Sequence, residues 1–540
     1  MKGGVKLFHG SGAAARAYVE ADRSRADEYY LGADQAVAEY AVIDATGEVT
    51  AARSLSADEY EAWVDWVNPD TGESMGTPRK PGKVRRGSPL FAEMTINAPK
   101  SLSVAAALHP DVSEALDATQ RDAAREIQHF LGQHSVTLAG PRGAQEVLPV
   151  EHMQTVAITH KTSRAGDPHR HIHFQIGTRV WAGGKWRALT TAALFQQQGA
   201  IRALGTAVIA AHPQLAATLS EHGLTLDPVS GEVVELEPFN AVMSKRSAQI
   251  RRNLERMEAE WQAKHPGETP GPVLTARMQD AAWAFQRPGK KPADLKNEQW
   301  WQQELRDAGY HPESLQHPDT VAPASLDDLS VQQVASRALD RCAAAASTWT
   351  PHTVREHVTR ITTEAGVQAT PAELREFIDL ATGLAASDCF SVLPPGMVQP
   401  EHVAHLTSLG VVAAETALRD QLTAATPERE PKHPDVTDAA QAAGLDTGQT
   451  VAAAAVASTN PLVIVEGAAI LAGGCADVAC GAGRPRRTRR ARNLRRGARV
   501  CAWVAVERGR RMDTPRTRRH RPCNREHLHR PTKRRRAVAG

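Results

Sequence analysis

The stretch HRHIHFQIG, residues 169–177, places histidine at three alternate positions and continues as an alternation of apolar and polar residues. In an extended chain, side chains two apart point to the same face. His169, His171, His173 and Gln175 therefore share one face, and Ile172, Phe174 and Ile176 share the other. The apolar side suits burial under a helix layer. The histidine side must meet water, a metal or a substrate. Just upstream, the apolar-rich QTVAITH ends on His160, and the loop KTSRAGDPHR leads back into the histidine stretch. A strand–loop–strand of this size folds back antiparallel and brings His160 beside His171 and His173. Three neutral imidazoles from two adjacent strands make a facial metal site with open positions. Asp167 and Glu151 are candidates to orient an imidazole N–H. His169 is a spare histidine, an orienting group or a DNA contact. The competing reading is a solvated strand whose histidines do nothing.

Working outward, GAAARAYVEADRSRADEYY near the N-terminus reads as a helix, and FAEMTINAPKSLSVAAAL as a strand running into a helix. Asn97 is the expected N-cap there, with Pro99 in the first helical turn. VSEALDATQRDAAREIQHFLGQH reads as an amphipathic helix, and TRVWAGGKWRAL as a hairpin turning on Gly183 and Gly184. Two helical stretches follow, then a polar, Trp-containing helical segment from about 240 to 310. Residues 325–425 alternate Ala/Leu-rich and acidic stretches and read as a small helical region. TPEREPKHPDVTD is a linker by composition. DAAQAAGLDTGQTVAAAAVAS then reads as helical and NPLVIVEG as a buried strand.

The net charge of +3 over 540 residues hides a split. Residues 484–540 hold 22 Lys+Arg against 3 Asp+Glu, a net of +19, so the remainder carries 42 basic and 58 acidic residues, a net of −16. No apolar run is long and uncharged enough for a membrane span, and the N-terminus lacks a signal peptide's apolar stretch. A cytoplasmic protein is expected, without membrane insertion. Four of the six cysteines, Cys475, Cys480, Cys501 and Cys523, cluster late in the chain in no zinc-binding spacing.

A metal held by three imidazoles keeps positions open for phosphate oxygens, where it stabilises charge in an in-line displacement. The nucleophile must come from elsewhere. Tyrosine is scarce, six in all, yet Tyr18, Tyr29 and Tyr30 fall in the N-terminal segment. A phenol with a pKa of about 10 needs a base or a cation beside it. A phosphotyrosine ester keeps the linkage activated for rejoining. The plainer reading of each tyrosine is packing on an amphipathic helix.

At these residues the chain resembles the relaxases of bacterial conjugation, in particular the MobF (TrwC-like) class, whose relaxase domain precedes a helicase. The resemblance rests on THKTSRAGDPHRHIHFQIG, on MTINAPKSLS, on the KWRAL hairpin, on SKRSAQI and on the early tyrosines, in family order over about 1–310. It implies His160, His171 and His173 as metal ligands and Tyr18 as first nucleophile, with Tyr29 and Tyr30 as candidates for a second. Glu93 stands where many relatives carry Asp, and is expected to take the tyrosine proton or orient a histidine. Lys100 and Arg164 are candidate phosphate contacts. Lys245 and Arg246 open one basic run (245–252), and RKPGKVRR (79–86) is another, either able to line a DNA groove. The implied fold is α+β: an antiparallel sheet with covering helices, the palm-like arrangement of His-hydrophobic-His endonucleases, followed by a small helical region.

The implied activity is metal-dependent transesterification of single-stranded DNA at a plasmid transfer origin, with accessory conjugation proteins as further partners. The cofactor is a divalent ion: Mg, Mn or Zn. The rivals are a non-cleaving origin-binding remnant and a three-His metal hydrolase acting with water. The expected domains are 1–310 (nicking), 311–425 (acidic, helical), 426–469 (linker and incomplete helicase start) and 470–540 (Arg-rich tail, disordered or out of frame). After VEGAA a nucleotide-binding loop needs Gly, Lys and Ser/Thr at 472–474, where the chain has Ala472, Gly473 and Gly474. No ATP binding is expected.

Overall fold

The computed structural model describes residues 4–20, 36–82, 85–141, 143–163, 165–286, 297–314, 322–396, 400–424, 432–459, 463–467 and 500–504. Two compact units divide the chain, 1–412 and 413–540.

The first unit is α+β. It opens with β1 (Lys6–Phe8) and α1 (Gly12–Glu20), then β2 (Ala36–Asp44), β3 (Val49–Ser56) and α2 (Ala57–Val64). β4 (Phe91–Asn97) runs into α3 (Lys100–Leu108) and the long α4 (Pro110–His134). A small ribbon of β5 (Val136–Ala139) and β6 (Glu146–Pro149) precedes β7 (His152–Thr162), β8 (Pro168–Ala182) and β9 (Lys185–Ala188). The sheet order is β1-β4-β8-β7-β2-β3, with β9 paired to β8, and all its pairings are antiparallel. The β8–β9 hairpin turns on Gly183 and Gly184, both at positive φ (56° and 72°), as a tight two-residue turn requires.

The period-two reading of β8 holds. Ile172, Phe174 and Ile176 are buried against α3 and α4, joined from β4 by Met94 and Ile96 and from the helices by Leu102, Leu116, Ile127 and Phe130. The opposite face is half covered. Tyr60 and Trp63 of α2 pack with Trp66, Phe91, Val156 and Ile158 in a second apolar cluster. That cover runs along the face as far as Ile158, the residue paired with His173.

One expectation needs correction. Asn97 does not cap α3; it is the last residue of β4, opposite His171, and Pro99 holds the cap position without a side-chain bond. The helix start is instead satisfied by Glu232, whose carboxylate accepts from Ser101 N at 3.2 Å and Ser101 Oγ at 2.5 Å. The region after 325 is helical as expected, with one short two-stranded ribbon added.

After β9 come α5 (Thr191–Ala211), α6 (Pro213–Glu221), α7 (Lys245–Lys264), α8 (Pro272–Ala284) and α9 (Asn297–Asp307). Then α10 (Val331–Ala345), α11 (Pro351–Glu364) and α12 (Pro371–Ser387) form a bundle, with a ribbon of β10 (Cys389–Ser391) and β11 (Leu406–Ser408) at its end. Val354, Val358 and Ile361 of α11 share one apolar cluster with Ile201, Leu204 and Val208 of α5. α13 (Leu409–Ala424) follows β11.

In the second unit, the stretch read as helical holds two helices, α14 (Thr437–Ala442) and α15 (Thr447–Ala457). Gly444 at φ 68° ends the first, and an Asp446–Gln449 capping box starts the second. β12 (Val463–Gly467) pairs antiparallel with β13 (Val500–Val504). Among the described residues no helix is long and apolar enough to cross a membrane.

Candidate active site

Antiparallel register assembles the histidines. His160 of β7 lies directly opposite His171 of β8, and His173 is opposite Ile158. Residues paired in this way project to the same face. The ring centroids are 5.3 Å apart for His160–His171, 4.9 Å for His160–His173 and 5.1 Å for His171–His173. His169 stacks on His171 at 4.5 Å.

Two of the rings have their tautomer set or favoured by neighbours. The His169 carbonyl lies 2.9 Å from His171 Nδ1. A carbonyl only accepts, so Nδ1 carries the proton and Nε2 keeps its lone pair. Glu93 Oε1 lies 3.0 Å from His173 Nδ1, a close contact that falls short of hydrogen-bond geometry but favours the proton on that nitrogen. Burial, reinforced by the neighbouring histidines, holds His171 well below the usual imidazole range, so it is neutral. His169 is pushed down to about 4, by burial first and by the Lys100 ammonium second. An imidazole with its proton on Nδ1 offers the Nε2 lone pair, the form that ligates a divalent cation.

Glu93 comes from β4, on the other side of β8. It sits opposite Gln175 and diagonal to His173. Gln175 Nε2 donates to Glu93 Oε2 at 3.1 Å, and the buried Tyr60 hydroxyl donates to Gln175 Oε1 at 3.0 Å. Burial opposes ionisation of Glu93, but the contacts with His173 and Gln175 outweigh it and hold the carboxyl below its ordinary value.

Tyr18 approaches from above. α1 is fixed on α2 by Asp65, whose carboxylate accepts from Gly12 N at 2.8 Å, and by Arg16, which pairs with Glu20, Asp58 and Glu61. Ala15 and Val19 are buried, while Tyr18 is 38% exposed and its ring stands edge-on to His173 at 6.2 Å between centroids.

The remaining candidates divide. Lys100 Nζ donates to Pro168 O at 2.7 Å, and burial pushes its ammonium down to about 8. Asp167 contacts Ser163 and caps the start of α7, accepting from Ser163 Oγ and Arg246 N at 3.1 Å each. Glu151 accepts from Gly183 N at the far hairpin. Lys245 pairs with Glu304 at 2.7 Å, and Arg246 donates to Gln249 and to the Trp283 carbonyl. Tyr29, Tyr30, Arg164 and residues 472–474 lie outside the described residues.

Two supporting groups escaped the sequence reading. Tyr60 gives no local signal, since it lies 115 residues from Gln175. Arg170 did leave one: it is the single charge at an inward position of β8. It is buried, meets both carboxylate oxygens of Asp117 at 2.8 and 3.0 Å, and donates to Ser113. That pins the start of the histidine strand to α4.

A family model described as TrwC relaxase matches residues 12–308, over half the chain. Among solved structures, a conjugative relaxase TrwC bound to oriT DNA with metal is similar at 20% identity and TM-score 0.43, over 57% of this chain and 99% of that one. The metal-free complex gives 19% and 0.40, over 56% and 99%. A complex with a 27-mer comprising the recognition hairpin and cleavage site gives 19% and 0.38, over 54% and 97%. No curated protein matches.

Proposed function

Because the chain belongs to the TrwC relaxase family, we propose that it nicks single-stranded DNA at a transfer origin by tyrosine transesterification. Tyr18 Oη attacks the scissile phosphorus and the P–O3′ bond breaks. The strand stays joined through a 5′-phosphotyrosine and leaves a free 3′ hydroxyl. One phosphodiester replaces another, so the linkage remains competent for rejoining. The observation that carries this reading is the placement of the Tyr18 ring 6.2 Å from His173, on the face where His160 and His171 also project.

His160, His171 and His173 would hold a divalent ion of the Mg, Mn or Zn kind, which when bound supplies Lewis-acid stabilisation to the phosphate oxygens. Glu93 acts as the positioning residue for His173, favouring its Nδ1 proton. Lys100 is suited to a phosphate near the start of α3, and would exchange its bond to Pro168 for one to DNA. Asp167 supports the site through α7. The nicking domain is 1–310, and accessory conjugation proteins are its further partners. The 472–474 residues lack the lysine that β- and γ-phosphates require, so this chain hydrolyses no ATP.

The test is a labelled transfer-origin oligonucleotide run on a denaturing gel, with and without chelator. Wild type should yield a protein-linked band that chelator removes. A product without a protein-linked band would instead indicate water as nucleophile, and unaltered DNA a non-cleaving binder.

A further inference from the structure

A second set of metal-ligating side chains lies outside the strand histidines. His134 is the last residue of α4, His352 lies in the first turn of α11, and Glu401 belongs to the connection between β10 and β11. His134 Nδ1 is 2.7 Å from Glu401 Oε2, and His352 Nε2 is 3.9 Å from the same oxygen. One ligand atom from each residue falls within 4.8 Å of the other two.

An ion pair between His134 and Glu401 accounts for two of the three. It leaves His352 unexplained. That ring is 2% exposed, and its Nε2 is buried without a hydrogen-bond partner among the described residues. An orphaned buried nitrogen costs about 1–3 kcal/mol. Such an atom calls for a partner. Its nearest candidate is the space it shares with His134 and Glu401.

We propose that His134, His352 and Glu401 bind a borderline divalent cation, zinc or a neighbour of zinc, as a structural staple. Two imidazoles and one carboxylate are a known zinc donor set, with a fourth position left to water. Ligands on a tetrahedral zinc stand about 3.3 Å apart, between the two spacings already present. The exposed Glu401 side chain can rotate to adjust both of its spacings, and the two rings stand 5.4 Å apart between centroids. Phe130 backs both rings, at 4.6 Å from His134 and 5.7 Å from His352. Two arginines share the helix with His352: Arg355 is bound to Asp379 at 2.5 Å, and Arg360 to Glu356 at 2.7 Å. Their charges are thereby answered within the bundle. The ion would tie the end of the sheet-covering α4 to the first turn of α11 and to the β10–β11 connection, segments that share no sequence neighbourhood.

The probe is zinc alone, titrated by calorimetry into the full chain. Two sets of competing ligands are removed first, by H171A/H173A and by Cys→Ser at 475, 480, 501 and 523. One zinc equivalent should bind and raise the melting temperature. E401Q changes an exposed residue and should leave the zinc-free melting temperature unaltered. It should weaken zinc binding by roughly tenfold or more and cancel the thermal shift. H352Q should do the same. Absence of a zinc equivalent at micromolar concentrations, or equal affinity in parent and E401Q, overturns the proposal.

Discussion

Glu93 and His173 sit on neighbouring strands, diagonal across the β4–β8 pairing, with carboxylate and Nδ1 3.0 Å apart. The carboxylate's second oxygen is held by Gln175, which is held in turn by Tyr60. Two hydrogen bonds and one close ion-pair contact thus run in line from α2 through the covered part of the sheet to one imidazole. E93Q should leave the chain folded and weaken metal binding by about 10–100-fold. Zinc or manganese titration reads this, and adduct yield at limiting metal should fall in parallel. Restoration of adduct at saturating metal would mark a positioning role and separate it from proton abstraction.

Tyr60→Phe cuts the same line at its far end. Gln175 Oε1 would then be left unpaired beside a fully buried ring. The cost should be about 1–3 kcal/mol in urea unfolding, with a smaller loss of nicking than in E93Q. Equal stability of Y60F and wild type would show that the bond contributes nothing.

Tyr18→Phe should do the reverse. The ring is over a third exposed, so stability should change by less than about 0.5 kcal/mol. The covalent adduct should vanish while oligonucleotide binding persists. An undiminished adduct would reassign the nucleophile.

Lys100 predicts a pH effect. Its folded value of about 8 lies below the ordinary 10.5. Below pH 8 both folded and unfolded chains hold the proton, and the cost of burying the charge is present in full. Between about 8 and 10.5 the folded chain has lost a proton that the unfolded chain keeps, so stability from this group rises with pH. Wild type should therefore gain on K100M by on the order of 2–3 kcal/mol between pH 7 and 10. Thermal melts of both proteins across that range give the difference directly. A flat difference would show that the ammonium carries no burial cost.

Gly132 of α4 lies against the β2–β3 turn. A Cβ there would meet the Asp44 carbonyl and lie 2.6 Å from Gly47 Cα. Both are backbone, so neither can rotate away. G132A should cost about 1–3 kcal/mol despite the better helix propensity of alanine. A melting temperature equal to wild type would mean that the turn moves freely.

How much was legible follows from the range of each signal. Alternation over 169–177 gave both faces of β8, because the period of a strand is local and survives in any context. The loop length between His160 and His171 allowed antiparallel return, and register then brought those rings opposite. The Gly183-Gly184 turn was readable for the same reason. Helix starts were less so. α3 carries no local cap, and its first turn is satisfied by Glu232, 131 residues away. Asn97 looks like a cap from its residue type and its place just before Pro99, which are local signals.

The sequence by itself determined which side chains could share a face: three imidazoles on one side of β8, an apolar row on the other, and a hairpin to close the strand. It did so because backbone geometry maps spacing onto direction without reference to the rest of the chain. The tertiary structure alone decided which groups answer them. Gln175 meets Glu93 across 82 residues, and His134 meets Glu401 across 267. Such pairs depend on strand order and helix docking, which arise from burial of the whole apolar surface and leave no periodic trace in the sequence.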